Sequence, residues 1–242
     1  ISAVLMLGIR VHSRGGIEAG SSFRETAGRH MAEGLRYVGR TPGVRLVLLL
    51  VALHCMMTMS FDALLPIFTT RELDGGAGTF GALLVGVGGG ALGATLALSF
   101  VSRESIRGAV FAVTSLMSAT AVIFLGLAPS IEVAVAAAAL TGAAQATFMA
   151  LSTVLVQAVL PDELRGRVMS LYVMLAAGVM ALMILANGAI ADVVSVRALM
   201  IIPAVAYIAI TLAWSAAAPP LRQIVRLGSL EETPAPVPVP AR

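Results

Sequence analysis

The chain is written in long apolar stretches separated by short clusters of charge. Uncharged runs cover residues 75–102, 108–131, 133–161, 168–191 and 198–221, and a sixth, 46–70, is interrupted only by Asp62. Each run holds at least 24 residues, and a helix needs about 20 to cross a bilayer. The pattern predicts six membrane-spanning helices over roughly 45–69, 79–101, 109–128, 133–159, 168–191 and 198–218. A shorter apolar segment, 1–9, ends at Arg10. A signal peptide carries its positive charge before the apolar core, so this segment reads instead as the end of a further, truncated spanning helix, and the chain as a fragment.

Composition agrees with the pattern. Of 242 residues, 58% are apolar and 12% charged, against about 25% charged in a soluble domain. That deficit excludes a water-facing surface of this size, and the high hydrophobicity excludes disorder over most of the length. The single cysteine, Cys55, excludes a disulfide scaffold and a thiolate zinc site. The net charge is +3, and all 16 basic residues are Arg. With so much Ala, Val and Gly, this composition suggests a GC-rich bacterial genome.

The Arg residues follow topology. Fourteen of the 16 fall in 10–45, 102–108, 160–167 and the segment after 219, whereas Arg71 and Arg197 occupy the alternate loops. Positive charge marks the cytoplasmic side. The expected arrangement is a multi-pass protein of the bacterial cytoplasmic (inner) membrane. A cytoplasmic linker covers 10–44, a six-helix bundle 45–218 and a disordered cytoplasmic tail 219–242. The lipid bilayer is therefore a partner, and the basic balance calls for no nucleic acid.

In the linker, Ser22 and Glu25 have capping-box spacing. Phe23, Ala27, Met31, Leu35 and Val38 recur at helical intervals, with Glu25–Arg29 and Arg29–Glu33 as i,i+4 pairs. The reading is an amphipathic helix over 22–39, stopped by Thr41-Pro42, which lies on the membrane surface or under the bundle. A solvated tether is the alternative.

Ionisable groups within an apolar span are costly and become functional candidates. Asp62 stands 17 residues beyond Arg45, about 26 Å along a helix, in the outer part of the first span. His54 and Thr58 precede it at i,i+4 spacing, which predicts one polar stripe of His54, Thr58 and Asp62 facing the bundle interior or a cavity. Asp62, with or without His54, is the candidate for proton coupling or contact with a cationic substrate. The alternatives are a water-exposed helix cap for Asp62 and a hydrogen-bonded core residue for His54. Pro66 is expected to bend the helix nearby. Thr141, Gln145 and Ser152 form a second polar stripe on the fourth span, suited to a ligand or to packing. The second span carries two GxxxG pairs, Gly86/Gly90 and Gly89/Gly93, which allow close helix approach. The loop Pro161-Asp162-Glu163-Leu164-Arg165-Gly166-Arg167 reads as a topological anchor, with Asp162 placed to cap the next helix. It also reads as a cytoplasmic gate whose ion pairs form and break. Twelve Met, among them Met56, Met57 and Met59, offer adaptable apolar surface. No metal-ligand set, cofactor motif or catalytic constellation emerges, and no enzyme is expected.

Several of these segments occur in a familiar order: GLRYVGRTPGVR, FDALLPIF, the Gly-rich span, VLVQAVLPDELRGRVMSLY and NGAIADVVSVRAL. The chain resembles the C-terminal half of major facilitator superfamily transporters, close to the bacterial enterobactin-exporter-like and macrolide-efflux-like branch. The resemblance implies an all-α membrane protein whose six helices form one half of a twelve-helix fold, with a missing N-terminal six-helix half as partner. Each half of that fold consists of two inverted three-helix repeats, which are not visible in this sequence. The implied activity is secondary active, proton-antiport efflux of a small amphipathic substrate of drug, macrolide or siderophore type. Such transporters often carry an Asp-Arg-x-Gly-Arg type motif where this chain has SRESIRG, and only Arg103 and Arg107 echo it. The alternative is a non-transporting half-transporter or membrane scaffold that packs with a partner.

Overall fold

A computed structural model describes residues 23–100 and 104–217. The segment 1–9, the Ser22–Glu25 capping box, Arg103 and the proline-rich tail lie outside the described residues. Six helices are long and apolar enough to cross a membrane: Pro42–Glu72, Ala77–Leu98, Ile106–Gly126, Ile131–Val159, Asp162–Ile190 and Val196–Ser215. The described residues contain no strand. The linker helix α1 (Phe23–Arg40) precedes them. The first span comprises α2 (Pro42–His54), a π-type turn Cys55–Met59, a 3-10 turn Ser60–Leu64 and α3 (Leu65–Glu72). The other spans are α4 (Ala77–Leu98), α5 (Glu104–Gly126), α6 (Ile131–Val159), α7 (Asp162–Ile190) and α8 (Val196–Ala217).

The packing reveals a repeat that the residues conceal. The second span packs on the fourth, as the fifth packs on the first; the third packs on the fourth, as the sixth packs on the first; and the third meets the sixth. Exchanging spans 1, 2 and 3 for 4, 5 and 6 maps these five pairings onto one another, as two three-helix repeats would.

Glycine sets the closest of these contacts. A Cβ on Gly90 would collide with the backbone of Ala139, one on Gly142 with that of Val87, and one on Gly86 would lie 2.9 Å from the Val135 carbonyl oxygen. The helices α4 and α6 therefore touch backbone to backbone. Only one of the two GxxxG pairs does this: Gly89 and Gly93 have nothing within 4 Å of an added Cβ and face outward. Both pairs share the same spacing, so only the neighbouring helix distinguishes them.

At the end of the bundle opposite α1, Arg197 ties three spans together. Its Nε donates to Glu72 Oε2 at 2.6 Å and Nη1 to the Gly126 carbonyl at 2.6 Å. Further bonds reach the carbonyls of Ala128 and Glu72, and the guanidinium lies 5.6 Å from the centre of the Phe68 ring. Arg71 Nη2 binds Asp192 at 2.8 Å and Nη1 the Ala191 carbonyl at 3.0 Å, at the more exposed loop between spans five and six. At the other end, α1 crosses the start of α7 at Gly34, where a Cβ would lie 3.3 Å from the Arg167 carbonyl oxygen. Arg167 Nη1 pairs with Glu33 across this crossing, and the Tyr37 hydroxyl donates to the Val159 carbonyl at 3.3 Å.

Two variant sets test these contacts. Gly90→Val should block assembly of α4 on α6 and greatly reduce folded protein, whereas Gly89→Val should express normally; fluorescence-detected size exclusion in detergent reads the difference. Arg197→Ala, which strands a largely buried Glu72, should cost about 2 kcal/mol, whereas Arg71→Ala on the exposed pair should cost less than about 1 kcal/mol; unfolding in detergent compares them.

Candidate functional site

The first span is where helical regularity fails, and the residues account for it. Pro66 has no N–H to give the Asp62 carbonyl, and its ring crowds the preceding turn. The N–H of Leu65 bonds instead to the Asp62 carbonyl in a tightened turn. On the inner side of the break, the Thr58 hydroxyl takes the His54 carbonyl at 2.8 Å and the Ser60 hydroxyl takes the Met56 carbonyl at 2.7 Å. The loosened turn Cys55–Met59 lies between.

A break within lipid leaves carbonyls that water cannot reach, and such backbone is tolerated only where protein or a wet cavity satisfies it. Two side chains from other spans do so. Gln145 Nε2 donates to the Thr58 carbonyl at 2.8 Å, and Asn187 Nδ2 reaches the Ser60 carbonyl at 3.5 Å and the Ser60 hydroxyl at 3.4 Å. Gln145 is 5% and Asn187 2% exposed. The expected polar stripe on the fourth span is thus inward-facing. Thr141 returns its hydroxyl to the Ala137 carbonyl, Gln145 spans to the break, and the Ser152 hydroxyl shares a 2.7 Å bond with the Tyr172 hydroxyl.

The expected stripe of His54, Thr58 and Asp62 is not formed. His54 and Thr58 are fully buried, whereas Asp62 is exposed. The reason is angular: the π-type turn underwinds the chain and the 3-10 turn overwinds it, so the four-residue rhythm does not survive the break. In 3-10 geometry the repeat is three residues, and Asp62 falls in that tightened turn, Ser60–Leu64, just after Met59. His54 points behind the break. Its ring stacks on Phe148, with centroids 4.0 Å apart and planes at 26°, and meets the edge of Tyr207 at 5.5 Å. Neither ring nitrogen has a hydrogen-bond partner among the described residues. The Tyr207 hydroxyl bonds Ser115 Oγ at 2.6 Å.

Met59 borders a groove of about 320 Å³ between the first, fourth and fifth spans, with Cys55, Met149, Tyr172, Met180 and Ile184 in its walls. The lining is apolar apart from the Tyr172 hydroxyl, which is engaged by Ser152. Three flexible thioethers give the groove adaptable walls, and the exposed Asp62 carboxylate lies three residues beyond Met59 along the first span.

Of the four charges from Asp162 to Arg167, three are paired. Asp162 binds Arg165 at 2.9 Å, and Arg167 binds Glu33 of α1. Asp162 does not cap the helix as expected. Pro161 occupies the cap position, with an extended ψ of 144° and no capping side chain, and Asp162 is the first helical residue. Glu163 lies in the same first turn, and Gly166 has open space around it.

The family described as transmembrane secretion effector, MFS_3, matches residues 1–237. The chain belongs to that family. Comparison with curated proteins and with solved structures gives no match. As a member of the transmembrane secretion effector family, the chain is a multi-pass, all-helical membrane protein of MFS transporter type.

Sequence reasoning missed Asn187, although a lone amide in the uncharged run 168–191, fifteen residues beyond its last hydroxyl at Tyr172, is a signal of its own. It also missed the pairing of Arg197 with Glu72, which are 125 positions apart. Replacing Gln145 by Leu removes the donor and leaves the Thr58 carbonyl buried and unpaired, at a cost of about 1–3 kcal/mol. Gln145→Leu should therefore lower the unfolding midpoint in detergent more than Thr141→Val, whose hydroxyl only back-bonds to its own helix.

Proposed function

We propose that the chain is one six-helix half of a proton-coupled exporter that moves small amphipathic molecules, including cations, across a bacterial cytoplasmic membrane by alternating access. The observation that carries the reading is an apolar, methionine-walled groove lined by Met59, with the exposed Asp62 three residues further along the same span. An apolar body fits the groove, and a cationic group meets the carboxylate. The same carboxylate takes up a proton when the cargo leaves. The family description, secretion effector, supports outward movement.

In this reading, residues 45–218 form the C-terminal half, and α1 and the tail lie on the cytoplasmic side with most of the Arg. The missing N-terminal half closes the open face. The loop from Asp162 to Arg167 is the gate, with Glu33 as the partner of Arg167 in one state. Gln145, Thr58 and Asn187 hold the break and do not touch cargo, and Thr141 is a packing residue. His54, sealed behind the break, is not placed to meet a substrate in the groove.

The test uses the intact transporter in cells loaded with a cationic amphipathic dye. Asp62→Asn should reduce efflux to background at unchanged membrane abundance, and a protonophore should do the same to the wild type. Unchanged efflux by Asp62→Asn removes the carboxylate from the mechanism, and efflux that persists with the protonophore removes proton coupling.

A further inference from the structure

A second groove, of about 500 Å³, lies where α1 crosses α7, and the Asp62 site does not use it. His30 and Met31 line it from α1, and Arg167, Ser170, Leu171 and Met174 from α7. Its polarity runs in one direction. His30 and Arg167 stand toward the end of the bundle, and the Ser170 hydroxyl donates to the Arg167 carbonyl at 2.8 Å. Leu171 and Met174 continue one and two turns deeper along the spanning helix. Met31 is 49% and Leu35 63% exposed, although α1 otherwise docks through Gly34 and Val38. The outward face of α1 also carries the exposed Arg36 and Arg40. An amphipathic helix with Arg on its polar side and bare apolar side chains beside them is suited to a membrane interface. Basic pockets between spanning helices suit anionic headgroups.

We propose that this groove binds one anionic phospholipid of the inner leaflet. Its phosphate sits on Arg167 and His30 beside Ser170, whose hydroxyl is engaged by the Arg167 carbonyl at 2.8 Å, and its acyl chain lies along Leu171 and Met174 beside Met31. Arg167 commits Nη1 to Glu33, and the rest of its guanidinium fork keeps donors for phosphate oxygens. The acids nearby are engaged: Glu33 with Arg167 and Asp162 with Arg165; the exposed Glu163 sits in the turn before the groove. The lipid would thus share Arg167 with the α1 contact and tie α1, the start of α7 and the leaflet into one unit. The inference rests on the proposed placement of α1 at the cytoplasmic face.

The experiment is lipid retention by the intact transporter, purified in mild detergent, exchanged with phosphatidylglycerol or phosphatidylcholine and weighed by native mass spectrometry. The wild type should retain one phosphatidylglycerol in preference to phosphatidylcholine. Arg167→Gln should reduce that preference by about fivefold. Ser170→Glu, an exposed position that folding tolerates, should abolish it by setting a carboxylate against the phosphate. Arg71→Gln, at the opposite end of the bundle, should leave it unchanged. Equal retention of the two lipids by the wild type, or a preference that survives both groove variants, overturns the proposal. Because retention is read without transport, its failure is distinct from failure of the efflux reading.

Discussion

A hydrogen-bond donor must reach the Thr58 carbonyl, and the rest of the bundle is arranged so that Gln145 can do so. In lipid no water replaces a lost helical bond, so the break in the first span exists only if another span supplies the donors. That requires the fourth span to approach the first with an amide at the right height, and the fifth to bring Asn187 to Ser60. The close approach of α4 to α6 through Gly90 and Gly142 fixes the fourth span in turn. The first span is thus irregular because three others are regular.

The break also divides two chemistries that a straight helix would have merged. With 3.6 residues per turn, His54, Thr58 and Asp62 share a face. With one underwound and one overwound turn between them, His54 and Thr58 enter the core and Asp62 stays outside it. An aromatic layer of Phe111, Phe148 and His54 fills the space behind the break, and the methionine-walled groove opens in front. Burial and accessibility are thus set by winding within one span.

What was legible in the residues was whatever a single helix expresses by itself. Six spans, the amphipathic helix, the need for an interior face at Gln145 and the disturbance near Pro66 all follow from composition and spacing. Relations between helices were not legible. Gly86/Gly90 and Gly89/Gly93 are equivalent as strings and opposite in the bundle, because only the first pair meets α6. Arg197 looked like a topological charge until Glu72 and the Gly126 carbonyl were found beside it. The phase of Asp62 was hidden because the length of the distorted stretch, Cys55 to Leu64, depends on donors from other spans as well as on Pro66.

The ties at the end of the bundle opposite α1 have a mechanical consequence. At the end opposite α1, the Arg197 knot joins the first span, the loop between the third and fourth, and the sixth, while Arg71 adds the loop after the fifth. At the α1 end, the described residues hold the crossing through the Arg167–Glu33 pair, the Tyr37 bond to Val159 and the close approach at Gly34. A force applied to extract the sixth span therefore loads Arg197 first, and through Glu72 it loads the first span. Under tension those two helices, first and last in the order of the bundle, share the load as one mechanical element.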